Sequence, residues 1–256
     1  MRHLSTKLRE SLLEKGACLV GYADVSDLDY EAPAGLKNAV SIAVTLNPSI
    51  ICDISKGPTI KYYQEYNRAN NLLADLCSHA VDILIAEGHK AVALEPTIKV
   101  VDLSNIDEHL PHKTVATKAG LGWIGKSALL ITKRYGAAIR LATVLTDAEL
   151  DVAAPTEQSM CGDCHHCVDH CPAKAIKGNN WQLGALRDSI YDAFACCETA
   201  IKLSKKVGIQ STIGRVAICG ICINVCPWTQ KYISRERKSC EKRNVENFSS
   251  TNRRRF

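Results

Sequence analysis

The densest chemistry in this chain is the run Cys161-Gly-Asp-Cys164-His-His-Cys167-Val-Asp-His-Cys171-Pro172, with the spacing C-x2-C-x2-C-x3-C-P. Three thiolates two residues apart wrap one iron–sulfur cubane. The fourth, beyond a wider gap and a proline turn, points to a second cluster. Structural zinc sites use two separated C-x2-C knuckles, or cysteine with histidine, so four thiols this crowded fit a cubane pair better than one tetrahedral ion. A second run, Cys219-Gly-Ile-Cys222-Ile-Asn-Val-Cys226-Pro227, repeats the pattern with Val216 where its first thiol would stand. Two cubanes take eight thiolates and the two runs supply seven. Cys196, in YDAFACCETA between them, is the preferred eighth, with Cys197 as the alternative. The crossover rule gives Cys161, Cys164, Cys167 and Cys226 to cluster 1, and Cys171, Cys196, Cys219 and Cys222 to cluster 2. Two adjacent cubanes form an electron wire, which needs something else to do the chemistry.

Nine of the thirteen cysteines fall between 161 and 226. A disulfide scaffold belongs to small secreted chains, so clustered thiols in this 256-residue chain point to metal in a reducing compartment. Cys18, Cys52 and Cys77 lie in apolar segments and read as small buried hydrophobes, whereas Cys240 reads as a free thiol. His165, His166 and His170 read as groups around the clusters or as exposed residues, because the thiols already complete the ligand sets.

A glycine loop, Gly120-Leu121-Gly122-Trp123-Ile124-Gly125-Lys126-Ser127, matches G-x4-G-K-[ST] letter for letter. A phosphate-binding loop needs a strand before it and a helix after it, so that a helix N-terminus faces the phosphates. Here a helical segment precedes and the β-rich ALLIT follows. The favoured reading is a tight turn whose backbone approaches a large flat cofactor, with Trp123 packed against it. A purely structural turn is the plainer alternative.

Certain elements must position these groups. Residues 4–15 read as an amphipathic helix, 17–25 and 39–46 as buried strands, and 61–87 as a long helix with Leu73, Leu76, Ala80 and Leu84 on one face and Gly88 as its stop. KAVALEP and residues 98–103 read as short strands, and 110–120 as a helix with Pro111 near its first turn. ALLITKRYGAAIRLATVLTD reads as two strands joined at Tyr135–Gly136. Strands and helices mixed through 150 residues predict an α/β or α+β sandwich on one main sheet. Domains are expected at 1–155 and 156–232, with a basic, flexible tail at 233–256; the composition shift at 151–160 marks the first boundary. The apolar fraction of 46% supports a sizeable core. The net charge of +5 resides in residues 231–256, where nine Lys/Arg face three Glu. That tail reads as a solvated end, with contact to RNA or another polyanion as the sharper alternative. The N-terminal stretch lacks the apolar run of a signal peptide, and no segment is long and apolar enough to span a bilayer. A cytoplasmic location is therefore expected, with no membrane partner.

AGLGWIGKSALLI, then VLTD, then the two cysteine runs, in that order, resemble the epoxyqueuosine reductases across roughly residues 60–230. The resemblance implies a nitroreductase-like mixed-sheet domain followed by a ferredoxin-like double [4Fe–4S] module. It also implies cobalamin as cofactor, likeness to the core of the corrinoid reductive dehalogenases, and reduction of an epoxide on a modified tRNA base. An electron donor of the reduced ferredoxin or flavodoxin type follows from it. By the same resemblance, residues Gly120 to Ser127 would lie against the corrin and Tyr63, Tyr66 and Arg68 would line the cavity. Asp102 would supply the proton, with Asp107 as its rival because the spacing to the glycine loop is longer than in the family. The family carries a helical-repeat tail that grips tRNA. Here about thirty residues follow Cys226, so either the basic tail substitutes for it or the substrate differs from tRNA.

Overall fold

The computed structural model describes residues 2–28, 35–94, 110–210 and 216–238. Strands β1 (Leu19–Asp24), β2 (Asn38–Thr45), β3 (Ala91–Leu94) and β6 (Ile139–Thr146) form one sheet in the order β1-β2-β6-β3. Every pairing in it is antiparallel, with Val40 opposite Val144 and Val20 opposite Ile42. The central strands β2 and β6 are buried on both faces, so they read as nearly continuous apolar runs.

Helix α1 (Arg2–Glu14) and the long α3 (Ile60–Ala86) cover one face. Val40, Ile42 and Val44 of β2 and Ala142 and Val144 of β6 point to that side, into a core shared with Leu73, Leu76, Ala80 and Leu84 of α3. The alternate residues Ala39 and Leu145 face α4 (His112–Lys118), which packs Val115 against them. The period of two in the strands and of 3.6 in the helix thus builds a helix–sheet–helix sandwich. Helix α3 starts on Thr59, whose hydroxyl accepts from the Tyr62 N–H. It stops where Gly88 takes φ +83° and its N–H donates to the carbonyl of Ile85.

The sequence reading joined residues 128–147 into two strands meeting at Tyr135–Gly136. Both strands exist, but the first, β5 (Leu130–Ile131), pairs with β4 (Trp123–Ile124) in a separate two-stranded sheet. The cause is Gly122: a Cβ there would stand 2.1 Å from the Ile131 carbonyl oxygen, so only glycine lets these segments meet. Residues 98–103, read as a strand, lie outside the described residues, as do Asp102, Asp107 and Cys240.

Three short helices follow: α2 (Pro48–Cys52), back on the sheet body, and α5 (His166–Asp169) and α6 (Arg187–Ile190) in the cysteine-rich part. They are joined by α7 (Ala193–Lys206) and α8 (Ile221–Asn224), and residues 227–238 form a further helix, α9. The cysteine-rich part shares the sheet body's core: Ile218, Ile223, Tyr232 and Ile233 pack with Leu46, Ile51, Ile54 and Tyr62. Asn224 closes the contact by donating from Nδ2 to the Ile51 carbonyl at 2.8 Å. Residues 151–156 strap the two parts together, with the Ala153 N–H on the Tyr22 carbonyl and the Thr156 N–H on that of Thr117. The tail read as beginning at 233 starts inside α9, with Ile233 in the core.

Candidate metal centre

Helices α5 and α8 each present one turn of backbone with cysteines on and beside it. Cys167 lies on α5 and Cys222 on α8. Asp192 caps α7 by accepting from the Ala195 N–H at 2.9 Å, which fixes the helix that carries Cys196 and Cys197.

The structure brings the thiols of the two runs and of α7 together, with Cys222 next to thiols of both predicted sets. Cys167 has Cys161, Cys164 and Cys226 as its charged neighbours. Cys196 has Cys171 and Cys219 among its own, and Cys222 has Cys219, Cys196, Cys167 and Cys171. Burial pushes the Cys167 thiol up to about 12, with the neighbouring thiolates pushing the same way. Burial likewise takes Cys196 to about 11 and Cys222 well above the ordinary thiol range. Ionising these thiols together in a desolvated pocket requires positive charge beside them, which iron would supply.

Some thiolate stabilisation is built into the backbone. The Ala175 N–H donates to the Cys171 sulfur at 3.4 Å. Burial raises Cys226, but the N–H groups of Thr229 and Trp228 and the Thr229 side chain lower it in part. Four thiolates on one zinc at about 2.3 Å would stand about 3.8 Å apart. Among the described residues, no three His, Cys, Asp or Glu side chains close on a point fit for one metal ion.

The glycine loop reaches this site. A cavity of about 90 Å³ is lined by Gly125, Lys126 and Ser127 together with Cys161, Cys164, Cys167, Cys222, Cys226 and Trp228. A Cβ on Gly125 would meet Ile131 Cγ1 at 2.7 Å and the Cys161 sulfur at 3.4 Å, so the loop's backbone lies directly on the first thiol set. Trp123 is fully buried and meets Trp228 edge to face, with ring centroids 5.3 Å apart. Its indole N–H has no partner among the described residues. Helix α4 precedes the loop and β5 follows it, the reverse of a phosphate-binding loop. Gly122, Trp123, Ile124 and Gly125 are taken up in protein packing, while Gly120 is exposed and Leu121 and Ser127 are partly exposed. The surfaces left for a flat cofactor are therefore the ends of the loop and not its middle.

Other sequence candidates sit elsewhere. Tyr63, Tyr66 and Arg68 lie on α3, outside the residues around the thiol cavity. Arg68 donates to the buried Glu65 carboxylate at 2.7 Å and to the Thr45 carbonyl at 3.0 Å, and Glu65 also accepts from the Asn47 N–H. Arg140 stacks on the Tyr66 ring and donates to its hydroxyl. These contacts tie α3 to β2 and β6. Cys77 and Cys18 are raised to about 12 by burial, as small hydrophobes would be. Cys52 accepts from Arg237 of α9 at 2.6 Å. His165 and His170 bond through Nδ1 to the carbonyls of Asp163 and His166.

The sequence gives no sign that Lys126 is buried or that Lys113 is partly buried. Lys126 is only 3% exposed. Lys113 on α4 donates to the Ala128 carbonyl at 3.0 Å and lies over the Tyr191 ring, and burial pulls it down to about 8. Lysine is so often exposed that no local pattern signals either one.

Residues 160–229 match the family model for a 4Fe-4S double cluster binding domain. The epoxyqueuosine reductase of Cyclobacterium marinum is 35% identical over 119 residues, covering 45% of this chain and 36% of that protein. That of Synechocystis sp. is 32% identical over 137 residues, covering 52% of this chain and 43% of that one. The chain resembles the epoxyqueuosine reductases. Its matches span about two fifths of those relatives. A crystal structure of epoxyqueuosine reductase with an epoxyqueuosine-modified tRNA-Tyr stem loop superposes with TM-score 0.61 at 18% identity, over 90% of this chain and 66% of that one. A reductive dehalogenase structure bearing on B12-dependent dehalogenation gives 0.62 at 19%, over 84% and 30%. At these identities the structures establish the shared fold. Among the described residues, no helix is long and apolar enough to cross a membrane.

Proposed function

We propose that this chain is an iron–sulfur oxidoreductase of the epoxyqueuosine reductase type, passing electrons through two [4Fe–4S] clusters to a corrinoid that reduces the substrate. One observation supports the redox part: thiols from two runs far apart in sequence, plus one from α7, gather in one buried region beside the glycine loop. Cluster 1 takes Cys161, Cys164, Cys167 and Cys226. Cluster 2 takes Cys171, Cys196, Cys219 and Cys222, with Cys197 the alternative to Cys196; Cys171 and Cys219 are near Cys196.

Cobalamin, when bound, supplies a low-valent metal centre for the reduction. The exposed ends of the glycine loop, Gly120, Leu121 and Ser127, would hold it. Trp123, Ile124 and Gly125 form the wall behind, and the loop's contact with Cys161 makes that wall the link to cluster 1. Lys126, buried beside the same thiols, offsets their negative charge. Asp102, or Asp107, would hold the proton for the leaving oxygen. Its protonated form needs a site poor in water. The substrate is epoxyqueuosine in tRNA, or a different small molecule. The work is cytoplasmic, fed by a reduced ferredoxin or flavodoxin.

Anaerobic reconstitution with iron, sulfide and hydroxocobalamin, followed by gel filtration and visible spectroscopy, tests the reading. A corrin spectrum co-eluting at one per chain is expected. Clusters without corrin would leave a plain electron carrier as the better account.

A further inference from the structure

An open groove of about 780 Å³ lies between α5 and α9. His166 and His170 form one wall, and Lys231, Arg235 and Lys238 the other. Among the described residues, no carboxylate lines it. The nearest acid on α9, Glu236, faces Arg235 with 3.6 Å between Oε1 and Nε, which leaves the two lysines uncompensated by that group. Lys231 lies over the Trp228 ring at 4.5 Å.

The position of the groove gives the charge its meaning. Pro227 lines both the groove and the thiol cavity, and it directly follows Cys226. His166 directly precedes Cys167 on α5. One residue therefore separates an occupant of the groove from the first thiol set. Trp228, which lines the thiol cavity, carries Lys231 on its face. An RNA backbone would also suit the charge, but among the described residues the groove presents no Trp, Tyr or Phe ring for a base to stack on, only the imidazoles of His166 and His170. A redox encounter needs only a small, charge-steered interface close to the metal, and this groove offers that.

We propose that this groove is the docking surface for an acidic one-electron carrier protein that reduces cluster 1. The inference rests on the two-cluster reading above. In the encounter, one electron leaves the reduced carrier and enters the oxidised cluster. No bond is made or broken.

The test uses the full-length, cluster-loaded protein in anaerobic stopped flow. One reductant is flavodoxin hydroquinone, an acidic protein, and the other is photoreduced deazaflavin, a small molecule that needs no docking surface. In K231E/K238E the second-order rate with flavodoxin should fall at least tenfold at low salt. The parent's rate should drop as salt rises, while the variant's stays flat. Deazaflavin should reduce the clusters equally fast in both. K238E alone, which leaves the Lys231–Trp228 contact in place, should show a smaller fall in the same direction. Flavodoxin rates within twofold of the parent in both variants would overturn the proposal. So would an unchanged flavodoxin rate accompanied by lost affinity for a tRNA stem loop, which would make the groove an RNA site. Clusters that deazaflavin itself fails to reduce would instead remove the redox reading on which the proposal stands.

Discussion

Gly122→Ala is the perturbation whose size the structure fixes best. The added methyl would lie 2.1 Å from the Ile131 carbonyl oxygen and 3.4 Å from Thr132 Cα. Ordinary contact needs over an ångström more, and the obstacle is backbone, so no rotamer change relieves it. The β4–β5 pair must open, exposing part of Trp123, Leu130 and Ile131, all of which are buried. Overpacking a core costs about 1–3 kcal/mol, and a backbone collision belongs at the top of that range. For a chain of this size about 3 kcal/mol lowers Tm by roughly 6 °C or more. The same hairpin lays Gly125 against Cys161, so iron retention should weaken alongside. Thermal unfolding of anaerobically loaded protein, followed by circular dichroism, reads the first effect, and iron release during the ramp reads the second. A Tm within 1 °C of the parent would refute the packing argument.

Other outcomes follow from the same geometry. Cys196→Ser should lose roughly half the iron and sulfide, because cluster 2 loses a ligand, whereas Cys197→Ser should keep nearly all of it; iron and sulfide analysis with electron paramagnetic spin counting decides. Lys126→Gln removes a buried cation beside the first thiol set. The reduced cluster is the more negative state, so the potential of cluster 1 should fall by about 59 mV, a tenfold change for one electron, in a spectroscopic redox titration. Burial holds folded Lys113 near 8, below its ordinary 10.5. Between those values the unfolded chain binds more protons, so this group makes stability rise with pH across that window. Lys113→Met should flatten that rise by an amount on the order of 1–3 kcal/mol, read from denaturant unfolding at a series of pH values.

The cysteine runs were legible because cluster ligation depends on local spacing, which a sequence displays directly. The eighth ligand was narrowed but not fixed, since Cys196 and Cys197 are neighbours on α7 and only the turn of the helix separates them. Helix α3 and strands β1, β2 and β6 were readable from their apolar periods. The partner of β5 was not, because Gly122 meeting Ile131 is a long-range event. Helix α9 was hidden by composition: its basic face resembles a solvated tail, while Tyr232 and Ile233 face the core and the Tyr232 hydroxyl donates to the Leu46 carbonyl. The groove between α5 and α9 joins segments about sixty residues apart, so no local pattern announces it. Arg68 shows what a resemblance leaves out. Placed at a cavity wall by resemblance, it also holds Glu65 and the end of β2, contacts that no local pattern displays.

Iron and acid-labile sulfide content of anaerobically purified protein, with a low-temperature electron paramagnetic spectrum after reduction, tests the two-cluster account most directly. The account predicts about eight of each per chain and the broadened signal of two interacting [4Fe–4S]⁺ centres. One zinc per chain with no sulfide would contradict it.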